Sequence, residues 1–348
     1  MVRNSTTQIS AGIEARSLHG REDITRQIAR SNFGTEVGSS AFEALCEAGL
    51  NWTVERRLLS FDGGLVDSRI GSDLDGPRHP RQLVPGLVGN VRSDTGELLG
   101  VVGPRYEIFH NYELLHLAQA VEEESGAVIE MVGSHRGGRD VYFLMKNSSF
   151  MLPGEDAVHI YHYFGNNHTG ERSLWAIPTS IRPLCENVLG MISDGASGLR
   201  IAHTRSMRDR VTAAVAAIDH SKDQAKIFQA QCERLAAERQ SAAQIQEYFE
   251  EVYEAQYGSP VMAPAETLTR GEKSRQTRRG ATLTAWHENL EREGERGLGD
   301  LSRWSALNAV TEWSDHQKPT RGDRAYANFQ GASSKFKRRA FSLALGNL

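Results

Sequence analysis

The chain has 348 residues, of which 39% are hydrophobic and 24% are charged, and its formal net charge at pH 7 is −4. This length and composition predict one large domain or two ordinary ones, with a sizeable core. No apolar run approaches the roughly 20 residues of a membrane helix, and the N-terminus lacks a signal peptide's apolar segment, so no membrane association is expected. Three widely spaced cysteines favour a reducing cytoplasm over a disulfide framework or a cysteine-based zinc site.

The first part of the chain carries few signs of regular structure. Residues 1–35 are rich in Ser, Thr, Arg and Gly without periodicity, which predicts a flexible N-terminal arm. A short helix is expected to begin near Ser40 and to end at Gly49, and a strand is expected over 52–59. Residues 62–82 are rich in Gly, Asp and Pro, which predicts a long loop.

Successive hairpins define the predicted core domain, residues 36–204. Alternating apolar residues and glycine-containing turns predict three of them: 87–92 with 98–102, 128–134 with 139–146, and 157–164 with 172–177. A helix from Asn111 separates the first two, and a short strand is expected at 199–202. This order predicts an α+β fold, with a mostly antiparallel sheet, helices packed on one side and a helical C-terminal part.

The segment after the core domain is predicted to be helical and then irregular. Residues 205–257 are expected to form a long or once-broken helix, as a hairpin arm, a dimerisation helix or a helix lying on the sheet. Core packing is the default interpretation of its apolar stripe. Glycine and proline then end the helix and predict a basic linker over 258–280.

The C-terminal region, residues 281–348, is predicted to consist of short helices. Their expected bounds are 281–296, 301–314 and 324–345. Such helices have little apolar area of their own, and we expect tryptophan side chains to anchor their packing. These residues are Trp286, Trp304 and Trp313.

Polar residues near the third hairpin are the candidates for chemistry. Arg182-Pro183 predicts the start of a helix that carries Cys185 and Asn187. Together with His168 and His203, these two would form a catalytic site only if the four side chains converged. The histidines of the strand before the turn alternate between its faces, and no HExxH-type spacing occurs, so no metal site is predicted. We therefore assign no catalytic residue, no metal ligand and no cofactor.

Positive charge and aromatic residues together point to nucleic acid. Residues 270–279 contain five basic residues and one Glu, and seven basic residues between Lys318 and Arg339 face only Asp323. In the sheet region, aromatic side chains alternate with cations, a pattern typical of surfaces that stack bases and contact phosphates. Core packing is the alternative for the sheet residues and a solvated surface for the basic runs. The predicted nucleic-acid-binding residues are Arg136, Arg139, Tyr161, Tyr163, Asn167, His168, Arg172, Arg182, Lys335, Lys337, Arg338 and Arg339.

A set of motifs, in order along the chain, resembles the phage/plasmid-like protein family, a domain of unknown function found in bacteriophages, prophages and plasmids. The resemblance covers roughly residues 40–345. The sequence departs from the family pattern at Glu186 and Thr169. The motifs are Val91-Arg92-Ser93-Asp94-Thr95-Gly96, Leu99-Gly100-Val101-Val102-Gly103, Tyr106, Asn111, Glu113, Gly137-Gly138-Arg139, Asn167-His168-Thr169-Gly170, Pro178-Thr179, Arg182, Cys185-Glu186-Asn187, His203-Thr204, Asn308 to Glu312, Asp315-His316, Gly331-Ala332, Lys335 and Lys337-Arg338-Arg339-Ala340.

The resemblance implies a mobile-element protein in the cytoplasm of a bacterial host that acts near DNA, and it implies no particular reaction. The leading prediction is a nucleic-acid-binding, homo-oligomeric protein that engages single-stranded DNA in recombination or replication, in the manner of an annealing protein. One alternative is an oligomeric interaction protein that associates through residues 206–257 and modulates a host or defence system. A second is a hydrolase or nuclease with its site around His168, Cys185 and His203.

Overall fold

The computed structural model describes most of the chain from residue 45 onward. The predicted arm over 1–35, nearly all of the predicted loop over 62–82, and Cys185 lie outside the described residues. The described ranges are 45–62, 81–182, 187–190, 199–216, 220–260, 263–264, 266–295, 301–320, 322, 324–329 and 331–346.

A three-stranded antiparallel sheet comes first, in the order β1-β2-β3. The predicted hairpin between β2 and β3 is confirmed, and Gly96 in its turn has a φ of 72°, which an L side chain rarely adopts. One face of this sheet is buried through Val54, Val88 and Val102. The strands are β1 (Val54–Asp62), β2 (Arg81–Arg92) and β3 (Leu98–Val102).

A six-stranded antiparallel sheet forms the centre of the molecule. Strands β4 to β7 pair in sequence order, and β8 and β9 both pair along β7. The second and third predicted hairpins, and the strand predicted at 199–202, are therefore confirmed. The strands are β4 (Val128–His135), β5 (Asp140–Leu152), β6 (Asp156–Asn167), β7 (Leu174–Arg182), β8 (Asn187–Gly190) and β9 (Leu199–Ile201).

Helix α1 (Asn111–Ser125) packs on the six-stranded sheet, against β4, β5 and β6. Leu114, Leu117 and Val121 share its buried face, because residues three and four apart lie on one side of a helix. The helix ends at Gly126, which has a φ of 73°. The helix begins at Asn111 as predicted, its N-cap is His110, and the Asn111 side chain is buried.

The helix after β9 packs on α1 and β9, and the helices that follow it build a second core against the hairpin end of β5 and β6. Phe228, Phe249 and Trp286 are buried there among the C-terminal helices and the strand residue Ile160. All three tryptophans predicted as anchors are buried, which confirms that prediction. The helices are α2 (Met207–Ala216), α3 (His220–Ala237), α4 (Ala242–Tyr257), α5 (Arg270–Glu293), α6 (Arg303–Glu312), α7 (Arg324–Phe329) and α8 (Ala332–Ala344).

Together the two antiparallel sheets and these helices confirm the predicted α+β class. Between residues 220 and 257 the predicted long helix is interrupted once, at 238–241, and both halves pack into the second core. Within the described part of the chain, no helix is long and apolar enough to cross a membrane.

Three local predictions differ from the structure. Residues 270–279 are helical rather than part of a linker, because Thr269 and Glu272 form a capping box that starts α5 earlier than expected. Asn187 does not lie in a helix; it begins β8 and pairs with Arg182. The last predicted helix is broken at Gly331, where a Cβ would lie 2.8 Å from the Ala327 Cα.

Candidate nucleic-acid interface

The polar turn after β6 is buried against the first sheet. The Asn90 Nδ2 group donates a hydrogen bond to the His168 carbonyl oxygen at 2.8 Å. At Gly100 on β3, an added Cβ would lie 2.4 Å from the Thr169 Cα, so the two backbones are in direct contact. Asn167 and His168, both predicted to bind nucleic acid, are buried. This turn therefore joins the two sheets and presents neither of these two side chains to a strand of nucleic acid.

His168 is held as a neutral imidazole inside this junction. Asn111 donates from Nδ2 to the Leu50 carbonyl oxygen at 2.9 Å, which orients its amide so that Oδ1 faces His168 Nε2 at 3.0 Å. The Nε2 atom must then carry the proton. Complete burial lowers the pKa of His168 to about 3. Its Nδ1 has no hydrogen-bond partner among the described residues.

His203 lies on the same side of the molecule. Its Nδ1 is 2.9 Å from the Glu107 carbonyl oxygen, and its ring stacks on Tyr106 at a centroid distance of 4.5 Å. Tyr106 in turn donates its hydroxyl hydrogen to the Asn167 carbonyl oxygen. His203 lies near enough to His168 for its charge to contribute to lowering the pKa of His168.

Asn187, which the expected catalytic site would need beside His168 and His203, makes its hydrogen bonds in another part of the structure. Its Nδ2 donates to Thr311 Oγ1 at 2.8 Å and contacts Asn308 in the C-terminal helices. His168 and Asn187 therefore make their hydrogen bonds with different partners, and Cys185, the remaining member of the set expected for a hydrolase, lies outside the described residues. Within the described residues, no group of three His, Cys, Asp or Glu side chains is placed to hold a metal ion.

Arg182 is committed to two buried carboxylates. Its Nε contacts Asp156 Oδ1 at 2.6 Å, and its Nη1 lies 2.7 Å from Glu293 Oε2. The Trp304 indole N–H also donates to Asp156, at 2.8 Å. Arg182 is buried and so offers no surface to a phosphate. It joins β7 to the C-terminal helices instead.

Lys337 forms a second buried ion pair. Its Nζ lies 2.5 Å from Asp315 Oδ1, and neither side chain is exposed. The other oxygen of Asp315 accepts a hydrogen bond from the Val188 backbone N–H at 2.9 Å. Burial lowers the pKa of Lys337, an effect that the adjacent Asp315 opposes. This pair ties β8 to α8, and Lys337 is out of reach of a phosphate.

The two predicted stacking tyrosines belong to the core. The Tyr161 hydroxyl donates to Glu130 Oε2 at 2.7 Å, and the Tyr163 ring stacks on Phe329 at 4.7 Å. Both rings are fully buried, so the alternative of ordinary core packing holds for them. The even spacing of aromatic residues along β6 gave no information on which face of the sheet is covered.

The cations of the sheet region differ in accessibility. Arg136 is paired with Asp140 at 2.7 Å and with Glu171 at 2.9 Å. Its guanidinium and that of Arg172 lie over the ring of Tyr326, at 5.1 and 4.6 Å from the centroid. Arg139 is exposed.

Exposed cations occur on two helices of the C-terminal region. On α8 the exposed cations are Lys335, Arg338 and Arg339. Burial and the neighbouring charge of Arg200 lower the pKa of the Arg338 guanidinium.

The larger group of exposed cations lies on the first half of α5, here called the basic half-helix, residues 270–281. Arg270, Lys273, Arg275 and Arg278 are exposed, and they form no ion pair with any described residue. Arg279 is paired with Glu250 at 3.1 Å. The buried face of α5 begins only at Thr282, so the basic half-helix extends beyond the core.

None of the residues chosen as nucleic-acid contacts lies on the basic half-helix. The signal for it was present in the sequence, since Thr269 and Glu272 have the spacing of a capping box and five cations follow within ten residues. The nearby glycine and prolines were weighted more heavily and suggested a linker. A capping box before a run without Pro is the stronger local signal.

Comparison with known proteins identifies a family and no individual relative. No curated protein and no solved structure matches the chain. One family model matches residues 98–336, a range that includes His168, Arg182 and Asp315 of the buried clusters described above. The chain belongs to the family described as a domain of unknown function (DUF932).

Proposed function

We propose that the protein binds single-stranded nucleic acid, with DNA as the favoured ligand, through the basic half-helix. The observation that carries this proposal is the set of four exposed cations on one projecting helix, Arg270, Lys273, Arg275 and Arg278, without ion-pair partners among the described residues. Cations that are not neutralised by neighbouring carboxylates are available to replace the counterions of a phosphate backbone.

The charges of the basic half-helix surround it. Successive residues of a helix are rotated by about 100°, so Arg270 and Lys273 lie on the side away from the core and Arg275 lies toward it. The one carboxylate in the run, Glu272, accepts hydrogen bonds from the Thr269 backbone and hydroxyl and is engaged in the cap. The positive field is therefore open to solvent on several sides.

The cellular role proposed with this activity follows from the resemblance to phage/plasmid-like proteins. A single-strand-binding activity in the cytoplasm of a host cell suits recombination or replication of a mobile element. In a homo-oligomer, several copies of the basic half-helix would contact the same nucleic-acid strand. Multiple sites on one assembly raise the overall affinity without any new contact.

The test is a fluorescence-anisotropy titration of a labelled 20-nucleotide oligo-dT with purified protein at a series of salt concentrations. Each phosphate contact on a single strand contributes about −0.7 to the slope of log K against log salt. Four free cations predict a slope of about −3. Replacing Arg270, Lys273 and Arg278 with Gln should reduce that slope to about −1 and weaken binding at low salt.

A matched control removes the same charge from the other exposed basic surface. The variant Lys335→Gln, Arg338→Gln, Arg339→Gln takes three cations from α8, and we expect it to keep the wild-type slope. Absence of wild-type binding at low salt contradicts the proposal, and so does an equal loss of slope in the two variants.

An interaction protein is the second candidate, and the outer face of the first sheet favours it. Leu87, Leu98 and Val101 are exposed on strands β2 and β3. Apolar side chains that are adjacent and exposed are typical of protein–protein contacts. Light scattering at increasing concentration, for the wild type and for Val101→Lys, separates the candidates. Loss of self-association in the variant without loss of oligo-dT binding would show that this face serves assembly.

A further inference from the structure

A groove lies where α4 ends against the basic half-helix. Its volume is about 240 Å³, and its lining combines two aromatic rings with three guanidinium groups. It is smaller than the roughly 300–1,000 Å³ of a site that encloses a drug-sized molecule. It can thus hold one planar group of a longer ligand. The lining residues that matter are Tyr253, Tyr257, Arg275, Arg278 and Arg279.

The aromatic wall of the groove is supported from the core. The buried Trp286 ring packs on Tyr253 at 6.4 Å, and Tyr253 packs on Tyr257 at 4.8 Å. Exposure rises along this series, from 5% for Tyr253 to 42% for Tyr257. The Tyr257 ring is therefore held in place by the rings behind it while part of it faces solvent. A fixed, partly exposed ring loses little entropy when a flat ligand stacks on it.

The opposite wall is mainly cationic, and its one carboxylate, Glu272, is engaged in the cap of α5. Arg275 and Arg278 make no ion pair with the described residues, and Glu250 anchors Arg279 at 3.1 Å. The Arg279 Nε atom is buried and has no hydrogen-bond partner in the described part of the chain. Aromatic rings beside free arginines are the two components of a single-strand site, since the ring stacks a base and the guanidinium contacts phosphate.

We infer that this groove is the subsite for one unpaired base of the bound strand, which stacks on Tyr257 while Arg275 and Arg278 contact the adjoining phosphates. This inference rests on the proposed function and explains why the protein would bind single strands in preference to a duplex. In a duplex both faces of each base are covered by neighbouring bases, so only an unpaired base can reach the ring. The cations alone would not distinguish the two forms.

The experiment compares two fluorescein-labelled probes of equal length, oligo-dT and a fully abasic deoxyribose-phosphate strand, at one moderate salt concentration. Tyr257→Ala should weaken binding of oligo-dT five- to twentyfold and leave binding of the abasic strand unchanged. Tyr257→Phe keeps the ring and should bind oligo-dT as the wild type does. Tyr112→Ala is the matched control, because Tyr112 on α1 is equally exposed, at 41%, and lies outside the groove.

The outcomes separate this inference from the proposed function. If wild-type protein binds both probes with the expected salt dependence and Tyr257→Ala binds oligo-dT normally, the base subsite is refuted and the phosphate-binding role stands. Equal losses on the oligo-dT and abasic probes also refute it, since a stacking defect requires a base. Failure of the wild type to bind either probe overturns both proposals together.

Discussion

Two buried junctions, one between the sheets at His168 and one between the six-stranded sheet and the C-terminal helices at Arg182 and Lys337, use polar residues in the opposite way to the basic half-helix. In the junctions, Arg182 and Lys337 are each paired with carboxylates inside the protein, and His168 is neutral. On the basic half-helix, Arg270 and Arg278 are exposed and make no ion pair with the described residues. A motif rich in polar residues can thus stabilise the fold, while a less distinctive basic run carries the exposed, unpaired charge.

The buried groups lie where secondary-structure elements of different parts of the chain meet. The His168 carbonyl oxygen joins the turn after β6 to β2 through Asn90, and Asp315 joins β8 to α8 through the Val188 N–H and Lys337. Buried ion pairs add little net stability relative to apolar packing, but loss of one partner leaves an uncompensated buried charge. Substitutions in the junctions should therefore act on folding, and substitutions on the basic half-helix on binding.

The largest effect is expected from Lys337→Ala. The substitution leaves the Asp315 carboxylate buried without its cation, and we expect the free energy of unfolding to fall by about 3–5 kcal/mol. Urea denaturation followed by circular dichroism measures this change. The control is Lys335→Ala, two residues away on the same helix and exposed, which should change the free energy by less than about 0.5 kcal/mol. An equal change in the free energy of unfolding in the two variants would contradict the distinction between buried and exposed cations.

An intermediate effect is expected from acid. Burial lowers the pKa of His168 to about 3 and that of His162 to about 4, whereas a histidine in the unfolded chain has a pKa near 6.5. Below pH 6.5 the unfolded chain therefore binds more protons than the folded protein, and stability must fall as the pH decreases toward about 4. Each histidine contributes about 1.4 kcal/mol per pH unit in that window.

Urea denaturation at pH 7.5, 6.0 and 5.0 measures this dependence. The variant His168→Gln keeps a donor for Asn111 and cannot titrate. Its free energy of unfolding should therefore fall less steeply as the pH decreases, by about 1.4 kcal/mol per pH unit, which corresponds to one proton. An unchanged pH dependence in His168→Gln would mean that this imidazole is not buried in the neutral form. Oligo-dT binding by the same variant should equal that of the wild type.

The smallest effect is expected from Gly280→Ala. Gly280 lies inside α5 with nothing within 4 Å of a Cβ, so alanine adds no clash and reduces the entropy of the unfolded chain. We expect a gain of about 0.5–1 kcal/mol in the free energy of unfolding, with no loss of oligo-dT binding. Thermal denaturation measures the gain. A loss of stability would indicate that the basic half-helix is not helical at this position.

The sequence predicted the fold more fully than it predicted the surface. Alternating apolar residues and glycine turns located the hairpins of both sheets, because the two-residue period of a strand and the positive φ of a turn are local properties. The burial of Tyr161 and Lys337 depends on which distant elements cover them, Phe329 and Asp315 among others. No local pattern carries that information, so both residues were predicted to lie on an exposed surface, whereas the folded chain buries them.

The basic half-helix was missed for a different reason. Its helix start is a local signal, the capping box of Thr269 and Glu272, but the nearby glycine and prolines suggested a linker. Its accessibility is a tertiary property, since α5 acquires a packed face only from Thr282 onward. The charge of the run was evident in the sequence, and its projection from the core was not.

Amide hydrogen exchange of the protein, alone and saturated with oligo-dT, tests the central comparison most directly. Bound nucleic acid should slow exchange over residues 270–281 and leave exchange over residues 165–169 unchanged, because the first range is exposed basic helix and most of the second is buried. Protection of the turn around His168 and Arg172 without protection of the basic half-helix would contradict the account and return the interface to the sheet region.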